Sequence, residues 1–196
     1  MPPDFDRPLA GIRVIDHADE NGEMCGRLLA DLGAEVIRVE PLGGAASRRL
    51  PPLHGETSLC FAVRNLGKKS VMLDMKTADG RRRLDGLLDE SDVWLESHRA
   101  DDLNRREVLE RHSSLVITSI TPFGLTGPYR DYAATDAVLV AMSGLLFRSG
   151  VPDKPPLLPP GALAYDIAGT TAAFATVTAL WNRRKTGRGD HLDVSV

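Results

Sequence analysis

Apolar residues along the chain follow two rhythms. Short β-branched runs recur as GIRVID (11–16), EVIRVE (35–40), SVMLDM (70–75), DVWLES (92–97), SLVITSIT (114–121) and GDHLDVSV (189–196), each the length of a single strand. Between them, apolar positions fall three and four residues apart. In EMCGRLLADLGA (23–34), Met24, Leu28, Leu29 and Leu32 share one helical face, and Gly33 stands where a helix end needs a residue free to take positive φ. TADGRRRLDGLLDE (77–90) opens on Thr77, whose hydroxyl can cap free backbone N–H groups, and DDLNRREVLERH (101–112) repeats the helical spacing. Repeated alternation of strand and helix, with short connections, predicts an α/β fold: a Rossmann-like domain with a parallel sheet and flanking helices.

Beyond the fifth run the pattern changes. PFGLTGPYRDYAATD (122–136) has the glycine and proline punctuation of a long loop, and AVLVAMSGLLFRSG (137–150) reads as a helix. VPDKPPLLPPG (151–161) is extended, because proline cannot continue the helix before it. The segment that follows, from Ala162 to about Arg184, is a long run of small and apolar residues with one carboxylate, Asp166, near its start. Residues 162–181 approach the length of a membrane span, but Tyr165, Asp166 and the threonines at 170, 171, 176 and 178 favour a helix buried in an α/β domain.

Composition narrows the function classes. At 196 residues, with 42% hydrophobic and 26% charged positions, the chain can bury a core and form about one domain. A net charge of -3 gives no case for nucleic acid or an anionic membrane, so any anion site must be local. Cys25 and Cys60 lack metal-ligand or disulfide spacing, which fits a reducing cytoplasm. The start, MPPDFDRPLAG, does not have the layout of a secretion signal, and residues 1–7 are expected to be flexible.

Several familiar chemistries are missing their signatures. The turn after the first strand, HADENGEMCG, carries Gly22 and Gly26 but not the spacing that cradles a dinucleotide; the nucleophile-elbow pattern and paired-histidine metal spacings do not occur. Histidines 17, 54, 98, 112 and 191 are scattered and read as surface residues. Arg38, Lys68, Lys69, Lys76, Arg99 and Arg105 fall at strand ends and loop starts, where an α/β sheet presents ligands; singly each reads as a surface cation, together they could hold a polyphosphate. Asp166 has two open readings, a helix cap or a nucleophile for covalent catalysis.

Six blocks in order, PLAGIRVID, LLADLGAEVIRVEP, NLGKKSVMLDMKTADGRRRL, SDVWLES, LVITSITPFGLTGPYRDYAATDAVLVAMSGLL and ALAYDIAGTTAAFATVTALWNRRKTGRGDHLDVSV, resemble the N-terminal half of the family III CoA-transferases, over residues 8–196. The resemblance implies a Rossmann-like large domain from an interlocked dimer, without the C-terminal small domain. It also implies CoA transfer between an acyl-CoA and a carboxylic acid, with coenzyme A as substrate and no metal. Asp166, in YDIAG, matches the aspartate that forms an aspartyl anhydride and then an aspartyl-CoA thioester. Leu73, Lys76 and Arg105 match residues at the adenine and phosphate end of CoA, and Arg38 is a further candidate contact. Ser97 and His98 replace an asparagine–phenylalanine pair beside CoA, and ADENGEMCG, one residue shorter and more acidic, replaces the family's turn beside the thiol arm. Thr135 precedes Asp136 where the racemases of the family carry a histidine, which argues against α-proton exchange. The resemblance further implies a homodimer or a complementary subunit, and leaves open a catalytically silent partner subunit or fragment. Neither nucleic acid nor membrane is an expected partner.

Overall fold

In the computed structural model, residues 7–196 are described; the expected flexible segment 1–7 lies outside them except for Arg7. Eight strands and six α-helices follow in chain order: β1 (Arg13–His17), α1 (Glu23–Asp31), β2 (Glu35–Glu40), β3 (Leu53–His54), β4 (Thr57–Ser58), α2 (Leu59–Asn65), β5 (Lys69–Met72), α3 (Ala78–Asp89), β6 (Val93–Glu96), α4 (Arg105–Arg111), β7 (Val116–Thr121), α5 (Asp136–Met142), α6 (Leu163–Thr186) and β8 (Asp190–Ser195). Six strands form one sheet in the order β5-β2-β1-β6-β7-β8. Every pairing within it is parallel. All six strand ends where the chain leaves the sheet therefore lie along one edge, the usual place for ligands in open α/β sheets.

The twofold alternation of side chains builds a core on each face. Val14, Val36, Val93, Leu95 and Val116 pack with Leu29 of α1 and Ala168, Ala172 and Leu180 of α6. Ile15, Trp94 and Ile117 face the other way, onto Leu84 and Leu88 of α3 and Val108 of α4. Burial on both faces explains why these strands read as nearly continuous apolar runs.

α6 is 24 residues long and apolar enough to span a membrane by length and composition. Its buried face is instead laid against the sheet and α1 through Ala168, Gly169, Ala172, Ala173, Thr176, Ala179 and Leu180. Gly169 makes the close approach possible, since a Cβ there would lie 2.7 Å from Met24 Cβ and 3.0 Å from the Cys25 nitrogen. Thr176 joins Thr118 of β7 by a 2.8 Å hydrogen bond within that contact.

Two regions differ from the sequence expectation. The helix expected over 137–150 stops at Met142, because Gly144 takes a left-handed conformation (φ 78°) and the chain continues as a 3₁₀ turn over Leu145–Arg148. The stretch between β2 and β5, which shows no clear periodicity, folds as a 3₁₀ turn, the β3–β4 hairpin and α2. Ser58 caps α2, its hydroxyl accepting from the Phe61 nitrogen at 3.2 Å.

Candidate active site

Three depressions follow one another along the edge where the strands end. One of about 430 Å³ lies over the ends of β2 and β5, lined by His17, Glu40, Pro41, Leu73, Met75 and Lys76. A second of about 260 Å³ runs between the turn after β1 and the end of β2, lined by His17, Asp19, Glu20, Arg38, Ala45 and Ser47. The third, about 290 Å³, reaches the ends of β6 and β7, with Asp19, Glu20, Asn21, Ser97, Arg99, Thr121, Arg130 and Tyr165 among its walls. The turn after β1 is thus the ridge shared by the second and third clefts.

Ion pairs brace this edge from beneath. Lys68, fully enclosed, donates to Asp16 and to the Glu23 carbonyl at 2.7 Å each and to Asn65 Oδ1 at 2.9 Å. Gly26 leaves room for that knot, since a Cβ there would lie 2.5 Å from Asp16 Oδ2. Arg38 donates through Nη2 to Glu23 at 2.7 Å and sets Nη1 3.5 Å from Asp16 Oδ2, a charge contact without hydrogen-bond geometry, while its buried Nε has no acceptor among the described residues. Glu40 accepts from Arg48 at 2.7 and 2.6 Å, from Ser70 at 2.5 Å and from the Ala45 nitrogen at 2.8 Å. Burial pushes the Glu40 carboxyl up, but the hydrogen bonds from Arg48, Ser70 and Ala45 outweigh it and hold the group at about 2.

At the end of β6, Glu96 is held at about 2 in the same way: burial opposes the charge, and His98, Arg105 and Ser119 overcome it. Arg105 gives Nε and Nη2 to Glu96 at 2.9 and 3.1 Å, and its remaining bonds reach Ser119 and the carbonyls of His98, Arg99, Ala100 and Leu103. His98 also leans edge-on against His17, with ring centroids 4.7 Å apart, and His17 stacks on Trp94. Burial, reinforced by the His98 charge, pushes His17 down to about 4, so the ring is neutral at physiological pH.

The turn after β1 is an unusually acidic wall. Burial raises the Asp19 carboxyl, and burial together with Glu23 and Asp19 raises that of Glu20. Tyr165, on the opposite wall, is raised by burial and by the Glu20 and Asp19 charges. Asp19 is pinned in place, its nitrogen donating to Ser97 Oγ at 3.3 Å.

Asp166 follows Tyr165 in the first turn of α6, and it does not cap the helix. Asp136, at the start of α5, takes that role by accepting from the Tyr165 nitrogen at 3.2 Å. The Asp166 carboxylate instead faces Arg64 of α2, which donates Nε to Oδ1 at 2.9 Å and Nη2 to Oδ2 at 3.1 Å. Its side chain remains 36% exposed, against 12% for Arg64. The carboxylate does not itself line the three clefts; its neighbour Tyr165 does.

The structure brings Leu73, Lys76, Arg38 and Ser97 to the cleft-lined edge, and places His98 just beneath it. Arg105 lies within 7% of full enclosure with all five N–H groups engaged inside the protein, so the strand-end placement that suggested a phosphate contact marks a brace between β6, β7 and α4. Lys68 is likewise internal. Sequence reasoning did not single out Glu20 and Tyr165, which line the clefts, Arg48, which braces Glu40, or Arg64, which faces Asp166. Tyr165 had a signal, its place beside Asp166; Arg64 had none, because its partner lies 102 residues away.

Comparison with known proteins agrees with this architecture. The model of CoA-transferase family III matches residues 9–196. A protein named "Probable CoA-transferase" from Mycobacterium tuberculosis is 40% identical over 88% of this chain and 22% of its own length. Acetyl-CoA:oxalate CoA-transferase of Acetobacter aceti is 35% identical over 96% of this chain and 51% of its own length. Among solved structures, a CAIB/BAIF family protein from Brucella suis superposes with a TM-score of 0.91 at 33% identity, over 97% of this chain and 53% of that one. The chain spans about half the length, or less, of the relatives it matches. With its parallel sheet, its aspartate at the head of α6 and a family match across nearly every residue, the chain belongs to CoA-transferase family III.

Proposed function

We propose that this chain carries the nucleophilic part of an acyl-CoA:carboxylate CoA-transferase, with Asp166 as the nucleophile. The observation that carries the reading is the solvent-accessible Asp166 carboxylate at the head of α6, relieved of capping by Asp136. A lone pair on a carboxylate oxygen attacks the thioester carbon of acyl-CoA; the C–S bond breaks, its electron pair leaves on the CoA sulfur, and a mixed anhydride forms. The thiolate then attacks the aspartyl carbonyl and expels the donor acid as its carboxylate, leaving an aspartyl-CoA thioester. Acceptor carboxylate attacks that carbonyl and displaces the thiolate, which next attacks the acceptor's acyl carbon, forms the new acyl-CoA and restores Asp166.

Coenzyme A is assigned to the strand-end edge. Leu73 and Lys76 offer an apolar floor and an exposed cation at the β5 end. Arg38 lines the next cleft with Nε lacking an acceptor among the described residues and Nη1 only loosely paired with Asp16 at 3.5 Å, so it is less committed to the interior than Arg105. Ser97 and the 17–22 turn then lead towards Tyr165 and Asp166. Cys25 and Cys60 are unpaired, which suits the reducing cytoplasm expected for the protein.

Assembly with a second protein surface is part of the same proposal. Ile167, Phe174 and Trp181, at 57%, 75% and 60% exposure, form an apolar ridge along the outer face of α6, and Phe147 is 96% exposed. A second copy or a complementary subunit covering this ridge predicts a dimer in sedimentation analysis.

The test is to incubate the protein in its native assembly with acyl-CoA, quench with hydroxylamine or borohydride, and map the product by peptide mass spectrometry. Modification at Asp166 is expected. An intact Asp166 peptide in an assembly that binds CoA would instead support a second reading, a silent partner subunit in which the Arg64–Asp166 pair is structural.

A further inference from the structure

Arg64 is the residue whose side chain touches the Asp166 carboxylate among the described residues, and the contact has the form of a fork. Two N–H groups on one edge of a rigid plane meet two oxygens, which fixes the orientation of the carboxylate as well as its position. A fork of this kind uses one lone pair on each oxygen and leaves the other available. Arg64 is itself held on a stiff support. Its neighbour Asn65 donates to the Phe61 carbonyl at 3.1 Å and accepts from the buried Lys68 at 2.9 Å, which ties α2 to Asp16 of β1 and to the Glu23 carbonyl of α1.

We propose that Arg64 is a positioning residue: its fork sets the plane of Asp166 so that a remaining oxygen lone pair meets the thioester carbon, and the fork opens when acylation removes the negative charge. This rests on the reading of Asp166 as nucleophile. Once Asp166 is an anhydride, the Arg64 cation has lost its direct counter-charge, and Glu23 and Glu20 are the carboxylates left within electrostatic reach. A lysine at position 64 would supply the charge but not the plane, so the two properties are separable.

Single-turnover acylation of the natively assembled protein by acyl-CoA, read as Asp166 adduct per unit time, tests the fork in wild type, Arg64→Met and Arg64→Lys. Arg64→Met is expected to slow acylation on the order of 10²-fold, the scale of a misaligned reacting group. The acyl-CoA concentration for half-maximal rate should move by no more than about threefold, because the loss is in the transition state rather than in binding. Arg64→Lys should recover part of the rate.

Acylation of Arg64→Met at or above the wild-type rate would overturn the proposal, showing a purely structural pair or a brake. So would a loss confined to the half-maximal concentration, which would make Arg64 a substrate contact. If Arg64→Met does not fold, Arg64→Lys decides, since a wild-type rate with the charge kept and the fork lost contradicts positioning. Absence of any adduct in wild type removes the nucleophile reading and the fork with it, whereas a wild-type adduct with indifferent variants removes the fork alone.

Discussion

Two arginine–carboxylate forks of the same shape sit on the two faces of the sheet. Arg105 meets Glu96 at 2.9 and 3.1 Å through Nε and Nη2, and Arg64 meets Asp166 at 2.9 and 3.1 Å through the same two nitrogens. Their surroundings differ. Glu96 is fully enclosed and also accepts from the His98 nitrogen at 2.6 Å and from Ser119, whereas the Asp166 carboxylate has Arg64 alone among the described residues and 36% of its side chain in solvent. The contact geometry is therefore silent about role. A carboxylate with every lone pair engaged and no solvent path is a brace; one with a single partner and an open side is available for chemistry.

The contrast can be broken in order of effect. If Asp166 is the nucleophile proposed above, Asp166→Asn should reduce CoA transfer by the native assembly on the order of 10⁴-fold with the urea midpoint nearly unchanged; loss of fold instead would make Asp166 a second brace. Glu96→Gln should do the converse, costing about 3–5 kcal/mol in urea unfolding by stranding a buried arginine. Gly26→Ala should cost about 1–3 kcal/mol by pressing a methyl group into the Asp16–Lys68 knot, read from the same unfolding curve. Arg64→Met should cost no more than about 1 kcal/mol of stability, because its partner is partly solvated.

Acid titration sharpens the same comparison. Glu96 and Glu40 have folded values near 2, below the ordinary glutamate value of 4.5, so the stability they give is complete above about 4.5 and is lost as pH falls towards 2. His17 has its folded value lowered from 6.5 to about 4, so its contribution is present above 6.5 and lost as pH falls from there to 4. Stability should therefore decline in two steps on acidification, and His17→Phe should flatten the upper one; an unchanged upper step would place its origin elsewhere, with His191, which burial also lowers, the first alternative.

Much of the fold was legible because a doubly covered parallel sheet writes itself in short β-branched runs between helical stretches. Thr77 caps α3 as its sequence suggests, accepting from the Gly80 nitrogen at 3.0 Å, and Gly33 takes the positive φ, 98°, that ends α1. α2 was not legible, since seven residues, LCFAVRN, are too few for a periodic signal. Asp166 was legible as an isolated charge in a small-residue helix. Its capping alternative was settled only by Asp136, a contact made across the fold. Arg105 shows the opposite failure: sequence places a residue at a strand end, but whether its guanidinium turns outward or beneath the sheet is decided by Glu96 and Ser119, 9 and 14 residues away on β6 and β7, whose side-chain directions the pattern does not give.

Asp166 and Ile167 are consecutive on α6, one bearing the carboxylate and the next beginning the uncovered ridge that continues through Phe174 and Trp181. A surface that sheltered that ridge would begin its contact one residue along the helix from Asp166. On the proposed function, one stretch of α6 would serve both an assembly contact and the carboxylate that carries the acyl group, so a change that loosens the first should shorten the lifetime of the second.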